Sequence, residues 1–129
     1  MPARDIYHDP VRTALEKDGW TITDDPFTIE FDETNVFADL AAEKLLSAQK
    51  ANHRIVLEIK VFSGPSRIAD LEQALGQYGL YRSLLKRVTP DRDLFLAIAK
   101  DIYEDFFQRE VVQVVLEDCI LSNASTPRA

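Results

Sequence analysis

One cysteine in 129 residues, Cys119, leaves nothing to form an intrachain disulfide and suits a reducing compartment. No apolar run approaches the roughly 20 residues that a membrane-spanning helix needs. The opening stretch Met1-Pro2-Ala3-Arg4-Asp5-Ile6 lacks the pattern of a signal peptide, so a cytoplasmic chain with no membrane partner is expected. Glycine is scarce, and two of the four, Gly76 and Gly79, fall inside a helical pattern, which excludes a phosphate loop there. The two histidines, His8 and His53, fall on terminal or turn-like segments without partner spacing and receive no catalytic role. Positive charge is in deficit, 15 Lys and Arg against 22 Asp and Glu, for a net charge of −7. That excludes a protein that coats nucleic acid by bulk electrostatics, and contact with DNA then requires a local basic patch, a metal or a partner. With 46% hydrophobic and 29% charged residues, the chain reads as one globular domain over residues 1–129, with residues 122–129 as a loose tail.

What is present is concentrated in Arg54-Ile55-Val56-Leu57-Glu58-Ile59-Lys60-Val61-Phe62. Its β-branched content, the turn-like Lys50-Ala51-Asn52-His53 before it and Ser63-Gly64-Pro65 after it predict a central strand over 54–62. Alternation puts Ile55, Leu57, Ile59 and Val61 on one buried face and Val56, Glu58 and Lys60 on the other. A mostly apolar strand that keeps an acid beside a base needs a partner or a use for them. Glu-x-Lys on such a strand with an aspartate upstream, here Asp39, resembles the signature of the PD-(D/E)xK nuclease-like superfamily. Alone, Glu-x-Lys reads as a cross-strand or same-face ion pair, and Asp39 alone reads as a turn or capping residue.

Asp9-Pro10 predicts a helix start with Val11, Ala14 and Leu15 as its apolar stripe and Gly19 as its stop. Strands are predicted at residues 20–23, 27–31 and 36–40, with turns at 24–26 and 33–35. Residues 41–48 suit helix by composition and strand by Leu45-Leu46. Were the chain to double back around Asn52, Glu58 would face Leu45 and leave Asp39 roughly 20 Å away at about 3.3 Å per residue. A shared site therefore requires a helical turn, a bulge or a different register between Leu40 and Leu46.

Ser63 or Ser66 is positioned to cap a long helix, with Ile68, Leu71, Leu75, Tyr78 and Leu85 as its core stripe. Gln73, Gln77 and Tyr81 stack along another line of it, as a packed polar face or as a substrate wall. The run of residues 94–99 predicts a buried strand, residues 103–107 and 111–116 helices, and residues 119–121 the start of an edge strand. Trp20 reads as core. The result is an α/β (α+β) class chain in the order α-β-β-β-α-β-α, a restriction-endonuclease-like mixed sheet flanked by helices.

Several blocks resemble the XisH family, the fdxN element excision controlling factors linked to programmed DNA rearrangement in cyanobacteria. They are residues 14–26 (Ala-Leu-Glu-Lys-Asp-Gly-Trp-Thr-Ile-Thr-Asp-Asp-Pro), Asp39-Leu40-Ala41-Ala42-Glu43-Lys44-Leu45-Leu46, Glu58-Ile59-Lys60, and residues 70–78 followed by Leu80-Tyr81-Arg82. The chain departs from the family pattern at Val61, where serine is usual, and at its C-terminal end, where relatives continue into a further strand. The resemblance implies a DNA endonuclease in which Asp39, Glu58 and the Ile59 backbone carbonyl bind Mg²⁺ or Mn²⁺ and Lys60 orients or deprotonates water. Hard cations of this kind prefer carboxylate oxygens. It further implies accessory roles for Glu16, Gln73, Gln77 and Tyr81, although Glu16 by itself reads as a solvated helix residue rather than a ligand. The other function class is a regulatory subunit that keeps the fold and controls a separate recombinase. The partner factor XisI, with which the family is typically encoded, is a plausible binding partner in either case, as is a second copy of the chain. DNA binding by the isolated chain is expected to be weak at physiological salt.

Overall fold

The computed structural model describes residues 3–46 and 51–119. A first helix, α1 (Ala3–Lys17), leads into strands β1 (Thr21–Asp24), β2 (Phe27–Phe31), β3 (Thr34–Ala38), β4 (Leu40–Leu46) and β5 (Ala51–Ile59). Helix α2 (Arg67–Val88) and strand β6 (Arg92–Ala97) follow, then α3 (Lys100–Glu104), a 3₁₀ turn (Phe106–Gln108) and α4 (Glu110–Cys119). The main sheet is four-stranded and mixed in the order β1-β4-β5-β6, while β2 and β3 form a separate hairpin. The predicted class and approximate order hold, with more strands before α2 than were counted. Periodicity marks a strand without naming its partner.

Strand β5 is the hub because both of its faces are apolar. Ile55, Val56, Leu57 and Ile59 are all buried, as expected for a strand flanked on both sides. It runs antiparallel to β4 and parallel to β6. A parallel neighbour needs a crossover, and α2 supplies it. The ladder ends one residue beyond β5, where the Lys60 amide donates to the Ala97 carbonyl at 2.9 Å. Val61, predicted buried, is only half-buried because it lies past the strand, and Phe62 goes inward instead.

Two clusters carry the core. The first joins Ile29 and Ala38 of the hairpin to Val56, Leu94 and Leu96 of the sheet and to Tyr78, Tyr81 and Leu85 of α2. The second holds Phe62, Leu71, Ala74, Ile102, Phe106, Phe107 and Val112. Its rings Phe62 and Phe107 meet edge-on at 5.4 Å between centroids, a favoured aromatic geometry. Fully burying a side chain such as Val56 or Phe106 stabilises the fold by about 1.5–3 kcal/mol relative to exposure.

Several local readings are corrected. Helix α1 begins at Ala3, so Pro10 sits inside it rather than in its first turn. Gly19 does end it, with φ of 95°. The Gly19 amide donates to Glu16 O at 3.1 Å and the Trp20 amide to Leu15 O at 3.0 Å, a Schellman closure that favours glycine. Trp20 is half-buried rather than core and packs beside His53, which lies on β5 and not in a turn. The β2–β3 turn is Asp32-Glu33, one residue earlier than predicted, with Asp32 at φ 58°. Ser66 rather than Ser63 caps α2, its hydroxyl accepting from the Ala69 amide at 3.2 Å. Gly64 precedes it, and a Cβ there would stand 2.8 Å from Asp70 Oδ1 and push aside the carboxylate that accepts the Gly64 amide at 3.0 Å. Ile68, predicted in the core stripe, is exposed, and Ala74 and Tyr81 take the inner face. Cys119 ends α4 and begins no strand, while residues 120–121 and the tail 122–129 lie outside the described residues. Among the described residues no helix is long and apolar enough to cross a membrane.

Candidate functional site

Residues 40–46 are one continuous strand, and register brings Asp39 to Glu58. Leu40 pairs with Leu57 and Leu45 with Asn52, so the next step of the ladder sets Asp39 opposite Glu58. The compact segment considered for residues 40–46 is not what joins them. Leu46 pairs with Ala51, so the strands do not double back around Asn52, and residues 47–50 lie outside the described residues.

Asp39 occupies the point where the chain leaves the β2–β3 hairpin and enters the main sheet. There the β4–β5 ladder stops, and side chains replace its missing partners. Glu58 Oε1 accepts the Asp39 amide at 3.1 Å, and Asp39 Oδ2 accepts the Ile59 amide at 2.7 Å. Each carboxylate thus binds the backbone beside the other. Both are nearly sealed, Asp39 4% and Glu58 7% exposed. Lys60, on the same face of β5, places Nζ 3.5 Å from Glu58 Oε2.

Electrostatics follow from that crowding. Burial first, then the charge of Asp39, push the Glu58 carboxyl up from 4.5 to about 7, against the lowering pull of Lys60. A side-chain hydrogen bond with Asp39 pushes the same way. With its carboxyl raised to about 7, Glu58 holds a proton for part of the time at neutral pH.

The α2 side chains reach this corner unequally. Tyr81 is buried, its hydroxyl donates to the Phe37 carbonyl at 3.0 Å, and Gln77 Nε2 donates to that hydroxyl at 2.9 Å. Tyr81 therefore fastens the hairpin two residues before Asp39. Gln73 points away and is exposed. Glu16 is an exposed α1 residue whose ion-pair partner is Arg12, at 3.8 Å. Tyr81→Phe is expected to cost about 1–2 kcal/mol, since it removes both the bond to the Phe37 carbonyl and the acceptor of Gln77. A urea melt showing no change would mean that the hydroxyl does not hold the hairpin.

A cleft of about 230 Å³ opens at the same end of the sheet. Lys60 lines it together with Tyr7, Val11, Ser63, Arg67 and Asp101. Sequence reasoning missed all of these except Lys60, because they converge only where β5 and β6 end. Asp39 and Glu58 do not line this cleft, so Lys60 is the link between it and the carboxyl pair.

Among the described residues, no group of three or more His, Cys, Asp or Glu side chains could hold a metal ion. A cation here would have two carboxylates from the protein, with backbone carbonyl and water completing its shell. That donor set suits Mg²⁺, which keeps several waters, better than a closed tetrahedral metal. The fit is geometric: two sealed carboxylates meet at the end of the β4–β5 ladder, each fixed by a backbone amide, and a divalent ion is a counter-charge that such a pair accepts.

The XisH protein family model matches residues 1–123. An XisH family protein from Nostoc punctiforme PCC 73102 is 37% identical, with a TM-score of 0.78 over 88% of this chain and 84% of that one. An fdxN element excision controlling factor protein from Anabaena variabilis is 40% identical, with a TM-score of 0.79 over 89% of this chain and 84% of that one. Comparison with curated proteins finds no match. At this identity and coverage, with the matching fold and a family model spanning nearly the whole chain, the protein belongs to the XisH family of fdxN element excision controlling factors.

Proposed function

We propose that the protein is a divalent-metal-dependent DNA endonuclease acting in excision of a chromosomal element. The observation that carries this reading is the sealed pair Asp39–Glu58, reciprocally bonded to the backbone, with Lys60 Nζ 3.5 Å from Glu58. Asp39, Glu58 and the Ile59 carbonyl would hold Mg²⁺ or Mn²⁺. Such an ion supplies charge to polarise a phosphodiester and acidify a water. The protein's own part is to exclude bulk solvent around the pair, to fix both carboxylates through the Asp39 and Ile59 amides, and to aim Lys60 at the reacting phosphate. Lys60, 23% exposed at its side chain, remains reachable from the cleft, so its ammonium can hold a water or offset charge that develops on the phosphate.

A second reading has its own support. The two carboxylates also finish the β4–β5 ladder, as structural caps would, and the net charge of −7 opposes DNA. On that reading the protein is a regulatory subunit controlling a separate recombinase.

The test is incubation of supercoiled and linear DNA with the purified protein in Mg²⁺ or Mn²⁺, alone and with the partner factor XisI. Cleavage that needs the metal and disappears in Glu58→Gln supports the nuclease. Binding to duplex by the isolated chain is expected to be weak and to fall steeply with salt, and to strengthen with metal or partner. Failure of calorimetry to detect any Mn²⁺ binding would give the regulatory reading the field.

A further inference from the structure

The cleft beside Lys60 is unexplained by the carboxyl pair, and its position is informative. Strands β5 and β6 run parallel and part at their carboxyl ends, β5 toward α2 and β6 toward α3, after the last bond from Lys60 N to Ala97 O. Crevices outside the carboxyl ends of diverging parallel strands are where open sheets bind ligands. Here the crevice has an apolar floor that includes Ile59, Ile98 and Ile102. Tyr7, on α1, lines it and keeps 39% of its surface exposed. Two cations, Lys60 and Arg67, face it against one carboxylate, Asp101. Among the described residues, Arg67 pairs with exposed Asp105 at 3.5 Å, a contact that a stronger anion can displace.

We propose that this cleft receives one unpaired nucleotide of a DNA strand, its base over the apolar floor and Tyr7, its phosphate on Lys60 and Arg67. The proposal rests on the nuclease reading and deepens it: the substrate is a single strand, an overhang or a flap rather than continuous duplex. Size argues for this. At about 230 Å³ the cleft is on the scale of a single flat base. A duplex would have to expel a base first, at a cost in stacking and pairing that a free strand does not bear. The apolar floor and tyrosine ring offer a stacking surface that is indifferent to sequence, and the cations answer the phosphate. Lys60 joins the two sites, since it lines the cleft while its Nζ lies 3.5 Å from Glu58.

The test is fluorescence anisotropy in low salt and EDTA, so that nothing is cut, with a labelled oligonucleotide as a single strand and as a blunt duplex. The single strand should bind roughly tenfold or more tightly than the duplex, the scale of one stacked base. Tyr7→Ala should remove most of that preference and Arg67→Gln should weaken the single strand and flatten its salt dependence. Both positions are exposed, so both variants should fold. Equal or tighter duplex binding, or a preference that survives Tyr7→Ala, overturns the proposal. Calorimetric titration of the same variants with Mn²⁺ separates the two ideas. Metal binding without strand preference sinks the cleft alone, whereas absence of metal binding in the wild type sinks the nuclease reading beneath it.

Discussion

Glu58→Gln is expected to stabilise the metal-free protein at pH 8 by about 2–3 kcal/mol and to abolish its binding of divalent cations. The glutamine oxygen can still accept the Asp39 amide, so the ladder end stays closed. What disappears is a charge that burial and Asp39 disfavour. The sign follows from the direction of the shift. Glu58 titrates near 4.5 in the unfolded chain and near 7 in the folded one, so between these values the folded state holds more proton. Stability from this group is therefore fully present below about pH 4.5 and is lost as pH rises through about 7. A shift of this size corresponds to about 3 kcal/mol. The variant, which cannot titrate, should match the wild type near pH 4.5 and exceed it at pH 8, read as a difference in urea midpoints. Divalent binding by the wild type should show the opposite trend, since a proton must leave for the cation to enter. Its affinity should rise by up to about tenfold per pH unit toward pH 7 and then level off. A variant that is less stable than the wild type at pH 8 would make Glu58 a structural cap before anything else.

How much of this corner was legible in the sequence depends on the range of each interaction. That Glu58 and Lys60 share a face is a property of strand alternation alone, and the structure has Lys60 reaching back to Glu58. The cap of α2 at Ser66 was likewise a local matter of side-chain chemistry, whereas the buried strand expected at 94–99 is β6 over Arg92–Ala97, with only Leu94 and Leu96 of it buried. The approach of Asp39 was not local. It depends on the β4–β5 register, which pairs Leu46 with Ala51, and the sequence between them, Ser47-Ala48-Gln49-Lys50, carries no Gly or Pro as a cue, whereas Asn52 a few residues on does read as one. A few residues' error in the turn moves Asp39 from contact to roughly 20 Å away, because strand register converts sequence offset directly into distance. Gln73 and Gln77 illustrate the same limit on a helix. They share a line on α2, yet only Gln77 lies over the hairpin, where Tyr81 fastens Phe37.

Lys60→Met is expected to leave divalent binding intact and to reduce DNA cleavage by about 10²–10⁴-fold, the usual worth of a positioned proton-transfer or charge-stabilising group. Removing the ammonium takes away the cation recorded beside Glu58 at 3.5 Å, so the acid pair is left with more need of a metal, not less. Mn²⁺ affinity at pH 8 should therefore hold or tighten while turnover falls, a split that loss of folding cannot mimic. The methionine fills nearly the volume of the lysine stem, which is partly buried beside Ile59 and Phe62, so the wall of the cleft persists. Lys60→Arg then decides how the lysine acts. Arginine keeps the charge but cannot give up its proton in a protein. Recovery of most of the cleavage in Lys60→Arg would assign Lys60 to charge stabilisation on the phosphate. No recovery, with metal binding again intact, would assign it to handling the proton of the attacking water. Cleavage unchanged in both variants would remove Lys60 from the chemistry and leave it as the ion-pair partner of a buried glutamate.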